Sequence, residues 1–188
     1  MGRRNFGWLQ TGALAFVLAG VIWATGHIPA EAGPIEIRAG ISDHNAEGGG
    51  REGGLDLTGE VLFDPWHCEH APDWFDSLAA PRPHIGFALN TAGDTSLAYA
   101  GLTWDFALTG PFFAEASISG AVHDGPLDME GRASYGCRLN FRETAGLGIE
   151  VSPSWRLLLS VDHMSNADLC GRNRGLTNVG LRLGYRLN

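Results

Sequence analysis

From Trp155 to Ser165 the chain alternates two kinds of side chain with a period of two, and this repeat constrains the fold more than any other feature. On an extended strand Trp155, Leu157, Leu159, Val161, His163 and Ser165 share one face, while Arg156, Leu158, Ser160 and Asp162 share the other. The pattern recurs near the C-terminus, where Thr177, Val179, Leu181, Leu183, Tyr185 and Leu187 oppose Asn178, Gly180, Arg182, Gly184 and Arg186. Over 134–151, a row of Tyr135, Cys137, Leu139, Phe141, Ala145, Leu147, Ile149 and Val151 opposes Ser134, Gly136, Arg138, Asn140, Arg142 and Thr144. Eight such segments are expected, near 35–44, 54–64, 83–90, 95–107, 111–122, 134–151, 154–166 and 176–187, separated by Gly, Pro, Asp and Asn.

Arginines recurring opposite a continuous apolar band fit two architectures. In a soluble β-sandwich the apolar row turns inward and the polar row meets water. In a transmembrane barrel the apolar row turns out to lipid and the polar row lines the interior. An even strand number, aromatic residues near strand ends, a strand at the C-terminus and an export signal favour the second. Most of the segments also reach the ~9–11 residues that a barrel strand needs to cross a bilayer. The expected fold is therefore all-β, an eight-stranded antiparallel transmembrane β-barrel.

The export signal is read from Arg3 and Arg4, the apolar stretch Ala13–Ala24 and the small-x-small site Ala30-Glu31-Ala32. It implies a cleaved signal peptide over 1–32 and a barrel over 33–188. The net charge is −8 and every basic residue is arginine, with no basic stripe of the kind that serves nucleic acid. Three cysteines in an exported chain permit one disulfide with one left over. His67, Cys68 and His70 have no fourth ligand at a useful spacing, so no metal site is expected there.

With a periplasmic N-terminus, the connections at 45–53, 90–94, 123–133 and 167–175 fall outside. Those at 108–110 and 152–154 become short inner turns. The long inner connection 65–82 is the exception, with one helical turn expected over 73–78. His163 and Ser165 then stand at the outer end of strand 7, on its lipid-facing row, ~6.5–7 Å apart along the strand. Two readings are open. The imidazole could activate the hydroxyl as a nucleophile, with the Asn166 amide a donor to a developing oxyanion. Alternatively, both are amphipathic rim residues.

The run His163-Met164-Ser165-Asn166-Ala167, with Asn173-x-Gly175 and Gly180-Leu181-Arg182-Leu183-Gly184-Tyr185-Arg186 after it, resembles the lipid A 3-O-deacylase (PagL-like) outer-membrane family. Arg82-Pro83-His84-Ile85-Gly86, Asn90-Thr91-Ala92-Gly93-Asp94-Thr95-Ser96 and Phe141-Arg142-Glu143 extend the resemblance over most of the mature chain. The resemblance implies an outer-membrane barrel that hydrolyses the ester-linked 3-position acyl chain of lipid A, the lipid anchor of lipopolysaccharide. It implies Ser165 as nucleophile, His163 as general base, Asn166 as oxyanion donor, and neither metal nor other cofactor. The oligomeric state stays open, a dimer included.

The acid implied by the resemblance falls twelve residues after the serine, and that position holds Thr177. A substitute is expected one strand away. If Val151 and Trp155 pair across the Ser152-Pro153-Ser154 turn, antiparallel register sets Glu143 opposite His163. Glu143 either orients the histidine or pairs with a rim arginine. The same register sets Cys137 opposite position 169, one step from Cys170, within reach of a disulfide. The rival to an esterase is a non-catalytic barrel, lacking its acid, that serves adhesion or membrane integrity.

Overall fold

The computed structural model describes residues 35–48, 52–65 and 80–187. The signal peptide expected over 1–32, the helical turn expected over 73–78 and His67, Cys68 and His70 lie outside the described residues. The described residues form eight strands: β1 (Glu36–Asp43), β2 (Leu55–Leu62), β3 (Arg82–Asn90), β4 (Leu97–Ala107), β5 (Phe112–His123), β6 (Leu139–Glu150), β7 (Trp155–Ser165) and β8 (Leu176–Arg186). Each pairs antiparallel with its neighbours in sequence, and β1 pairs with β8, so the sheet closes into a barrel. Closure leaves no edge strand with unpaired backbone groups, a requirement for a sheet surrounded by hydrocarbon.

Burial runs opposite to that of a soluble sandwich. On the outer face Leu147 and Leu159 are 63% and 55% exposed, whereas inside the barrel Arg38 and Arg142 are 3% and 1% exposed. Buried charge is tolerated when it is paired, and the interior pairs its arginines with carboxylates. Arg38 contacts Glu36 at 2.6 Å, Glu60 at 3.2 Å and Glu115 at 2.6 Å. Arg82 and Arg156 also converge on Glu36, at 2.7 and 3.0 Å. Nearer the end that carries the 44–54 and 166–175 connections, Arg142 and Arg182 share Asp162 at 2.9 and 3.2 Å. At the opposite end the Trp155 and Tyr185 rings pack outside the barrel with centroids 4.7 Å apart.

Two features differ from the pattern read in the sequence. Residues 134–138 are not strand: Gly136 takes a left-handed φ of 73°, and Tyr135 turns inward to 1% exposure with its hydroxyl on Glu52 at 2.6 Å. The interior is also not polar throughout. Ala88, Leu97, Tyr99, Ala121, Ala133, Tyr135, Met164 and Leu176 form an apolar cluster beneath the connections of the site end.

Beside that cluster a buried imidazole ties the connections together. His44 Nδ1 lies 2.9 Å from Asp56 Oδ1, and its Nε2 lies 3.2 Å from Glu52 Oε2. Burial alone would depress His44, but its hydrogen bonds to Asp56 and Glu52, with their charges, outweigh it and raise the imidazole to about 9. The folded midpoint therefore lies above the ordinary 6.5 of an unfolded chain. Stability from this cluster is full below pH ~6.5 and is lost as pH rises through about 9. The unfolding temperature of the barrel in detergent is expected to fall across that window, and His44→Gln to remove the His44-dependent part of the fall. Identical pH profiles for the two proteins would show that the cluster does not stabilise the barrel.

Candidate active site at the barrel rim

Strand β7 splits the tetrad between two sides of the wall. Met164 and Asn166 turn inward, each to 1% exposure, while His163 and Ser165 stand half-buried on the outer row. In the sheet His163 has Glu143 opposite it on β6 and Thr177 opposite it on β8, so three strands bring these side chains to one stretch of rim. The β6–β7 register is the one expected from the Ser-Pro-Ser turn.

The two neighbours of His163 differ in how they meet it. Thr177 Oγ1 lies 2.8 Å from Nδ1 of the imidazole, a direct hydrogen bond. Glu143 is exposed and faces His163 by charge, without a hydrogen bond between them. Thr177 is only 9% exposed although it belongs to the outward row, because the turn after β1 folds over it. Its hydroxyl donates to Glu47 Oε1 at 2.7 Å. Sequence reasoning missed Glu47, which sits in a glycine-rich connection without strand periodicity.

Gly175 completes the histidine's seat. A Cβ built there would overlap His163 Cε1 and lie 2.9 Å from Nε2, so only glycine lets the chain pass so close to the ring. The Asn173-x-Gly175 element thus has a physical reason. Asn173 Oδ1 accepts from the Asn166 N–H at 2.9 Å, while Gly175 makes room for the imidazole.

The Asn166 carboxamide, expected beside Ser165, is instead committed to the neighbouring connections. Its Nδ2 donates to the carbonyls of Tyr135 and Arg172, both at 2.7 Å, and approaches that of Cys170 at 3.4 Å. The physical reason is alternation: a residue one step past Ser165 points to the other side of the wall. Gly136 lets the two connections meet, since any Cβ there would overlap the carbonyl oxygens of Cys170 and Arg172. The structure pairs Cys137 with Cys170 in a disulfide, their Cα atoms 5.5 Å apart, which fastens the same junction.

Closure, an apolar exterior and a charged interior define the class: an outer-membrane β-barrel. The profile of the family described as "Lipid A 3-O-deacylase (PagL)" matches residues 40–186, and the chain belongs to that family. Among solved structures, the crystal structure of the outer-membrane enzyme PagL is similar at 19% identity and a TM-score of 0.58, covering 81% of this chain and 99% of that one. The N-terminal β-barrel domain of Pseudomonas aeruginosa OprF is similar at 13% identity and a TM-score of 0.55, covering 84% of this chain and 100% of that one. A de novo designed transmembrane β-barrel also matches, at 11% identity and a TM-score of 0.52, covering 85% and 100%. At such identities the three structures speak for the fold alone. No curated protein sequence matches the chain.

Proposed function

We propose that this protein is an esterase that removes the 3-O-linked acyl chain of lipid A at a lipid-facing site, with Ser165 as nucleophile and His163 as general base. Family membership supplies the substrate class. The observation that carries the mechanism is the hydrogen bond at 2.8 Å between His163 Nδ1 and Thr177 Oγ1, which fixes the ring and leaves Nε2 free to act as base. A substrate that diffuses within the leaflet presents its ester at the polar boundary, the height at which the outward row of β7 ends.

The reaction balances in two halves. Ser165 Oγ attacks the ester carbonyl and its proton passes to His163 Nε2. Collapse of the tetrahedral adduct breaks the bond to the sugar oxygen, which takes that proton, and the acyl group remains on Ser165. Water then attacks the acyl-serine, giving its proton to Nε2. As the fatty acid leaves, that proton passes from Nε2 back to Ser165 Oγ.

Glu143 supports the imidazolium by charge from the opposite strand. Because it is exposed, its contribution is small and screened by salt. Glu143→Gln is expected to slow deacylation about threefold in low salt and very little in high salt. A rate unchanged in low salt would remove this role. Asn166, its donors engaged, serves by holding the end of β7 and the 167–175 connection in place.

Mass spectrometry of lipid A incubated with the purified protein tests the function. Loss of one hydroxyacyl chain, with the free acid appearing, is the expected result. Unaltered lipid A with the barrel folded would favour the non-catalytic reading.

A further inference from the structure

We propose that Glu47, in the connection after β1, is the acid of this site and orients His163 through the Thr177 hydroxyl. The proposal rests on the serine–histidine reading above. A hydroxyl has one proton to give, and an ionised carboxylate can only accept. Thr177 Oγ1 therefore donates to Glu47 Oε1, at 2.7 Å, and meets His163 Nδ1, at 2.8 Å, as an acceptor. The ring hydrogen must then sit on Nδ1, which leaves the lone pair on Nε2 free to take a proton. When the ring takes the serine's proton, its positive charge is stabilised along a chain of two hydrogen bonds ending on a carboxylate.

Barrel closure puts Glu47 there. The last β1–β8 pair is Asp43 with Val179, and the chain then turns across the end of β8. The Asn45 N–H donates to Asn178 Oδ1 at 3.0 Å and the Ala46 N–H to the Thr177 carbonyl at 2.8 Å. The Gly48 N–H returns to the Asn45 carbonyl at 2.9 Å, and Arg174 Nη2 donates to the Gly48 carbonyl at 3.1 Å. Asn45 and Gly48 bracket the turn with left-handed φ values of 59° and 76°. The carboxylate is thus carried on a braced turn. That same turn covers Thr177 while Glu47 itself is exposed, so the carboxylate reaches the ring through the threonine hydroxyl, and threonine at this position lengthens the path from acid to base without removing the acid. Glu143, though directly opposite His163, has no such path to Nδ1.

The test is steady-state deacylation of lipid A in detergent micelles by the full barrel. Glu47→Gln is expected to lower kcat at least about tenfold with little change in KM. Combined with Thr177→Val it should cost nothing beyond Thr177→Val alone, because both cut one chain. Thr177→Glu sets a carboxylate directly against Nδ1, and in that background the loss from Glu47→Gln should shrink to less than twofold. Wild-type rates in Glu47→Gln, or losses that multiply in the Thr177→Val pair, would overturn the proposal. Should the wild type leave lipid A unaltered, the esterase reading fails separately. The imidazole ¹⁵N spectrum of His163 then decides the relay. Hydrogen on Nδ1 in the wild type, moving toward Nε2 in Glu47→Ala, supports it; an unchanged tautomer in Glu47→Ala refutes it.

Discussion

Cells making the Ser165→Ala protein are expected to keep the 3-position acyl chain on their lipid A, whereas cells making the wild type lose one hydroxyacyl mass. The expected fall in rate is at least about a thousandfold, because removing the nucleophile of a serine–histidine pair eliminates the acyl-enzyme route and leaves only what binding contributes. The substitution is gentle on the fold. Ser165 stands half-buried on the outer face. A heat-dependent shift in electrophoretic mobility, the usual mark of a folded barrel, should therefore match that of the wild type. Spectra that show deacylation by both proteins would assign the nucleophile elsewhere. Spectra that show it for neither would leave the barrel without this enzyme activity.

The second large effect is expected at a residue with no functional group. Gly175→Ala adds one methyl where a Cβ would overlap His163 Cε1 and press on Nε2 at 2.9 Å. The ring is the movable partner, so it swings aside and gives up its 2.8 Å bond to Thr177. Displacing a reacting group by about 1 Å typically costs on the order of a hundredfold in rate. The unfolding temperature should change little, since the displaced atoms belong to a half-buried side chain on the outside of the barrel. Full activity in Gly175→Ala would show that the imidazole does not need the seat it occupies here. A matched loss of activity and of folded barrel would place the role of Gly175 in stability instead.

Both predictions depend on a site whose parts differ in how openly the sequence displays them. His163 and Ser165 are legible because a strand has a period of two: one residue type per row exposes an imidazole and a hydroxyl at the end of a lipid-facing band. Glu143 is legible for a related reason, since a three-residue turn between Val151 and Trp155 fixes the register of β6 against β7 and carries it to the rim. Asn166 was expected beside Ser165 from adjacency alone, but alternation turns it to the other side of the wall, where its Nδ2 donates to the Tyr135 and Arg172 carbonyls. Tyr135 was misplaced because Gly136 breaks the period of its row with a left-handed φ.

The sequence by itself determined the strands, their outward and inward rows, and the family, because these depend on local periodicity and on short motifs. It also placed Thr177 at the position where the resemblance implies an acid. What only the tertiary structure decided is what lies beyond that threonine. Glu47 is 130 residues from Thr177 along the chain, and their hydrogen bond exists because β1 and β8 close the barrel and the turn after β1 folds over the last strand. No local pattern records that contact. It follows from closure, which sets the two ends of the sheet side by side and gives the histidine a carboxylate through its neighbour's hydroxyl.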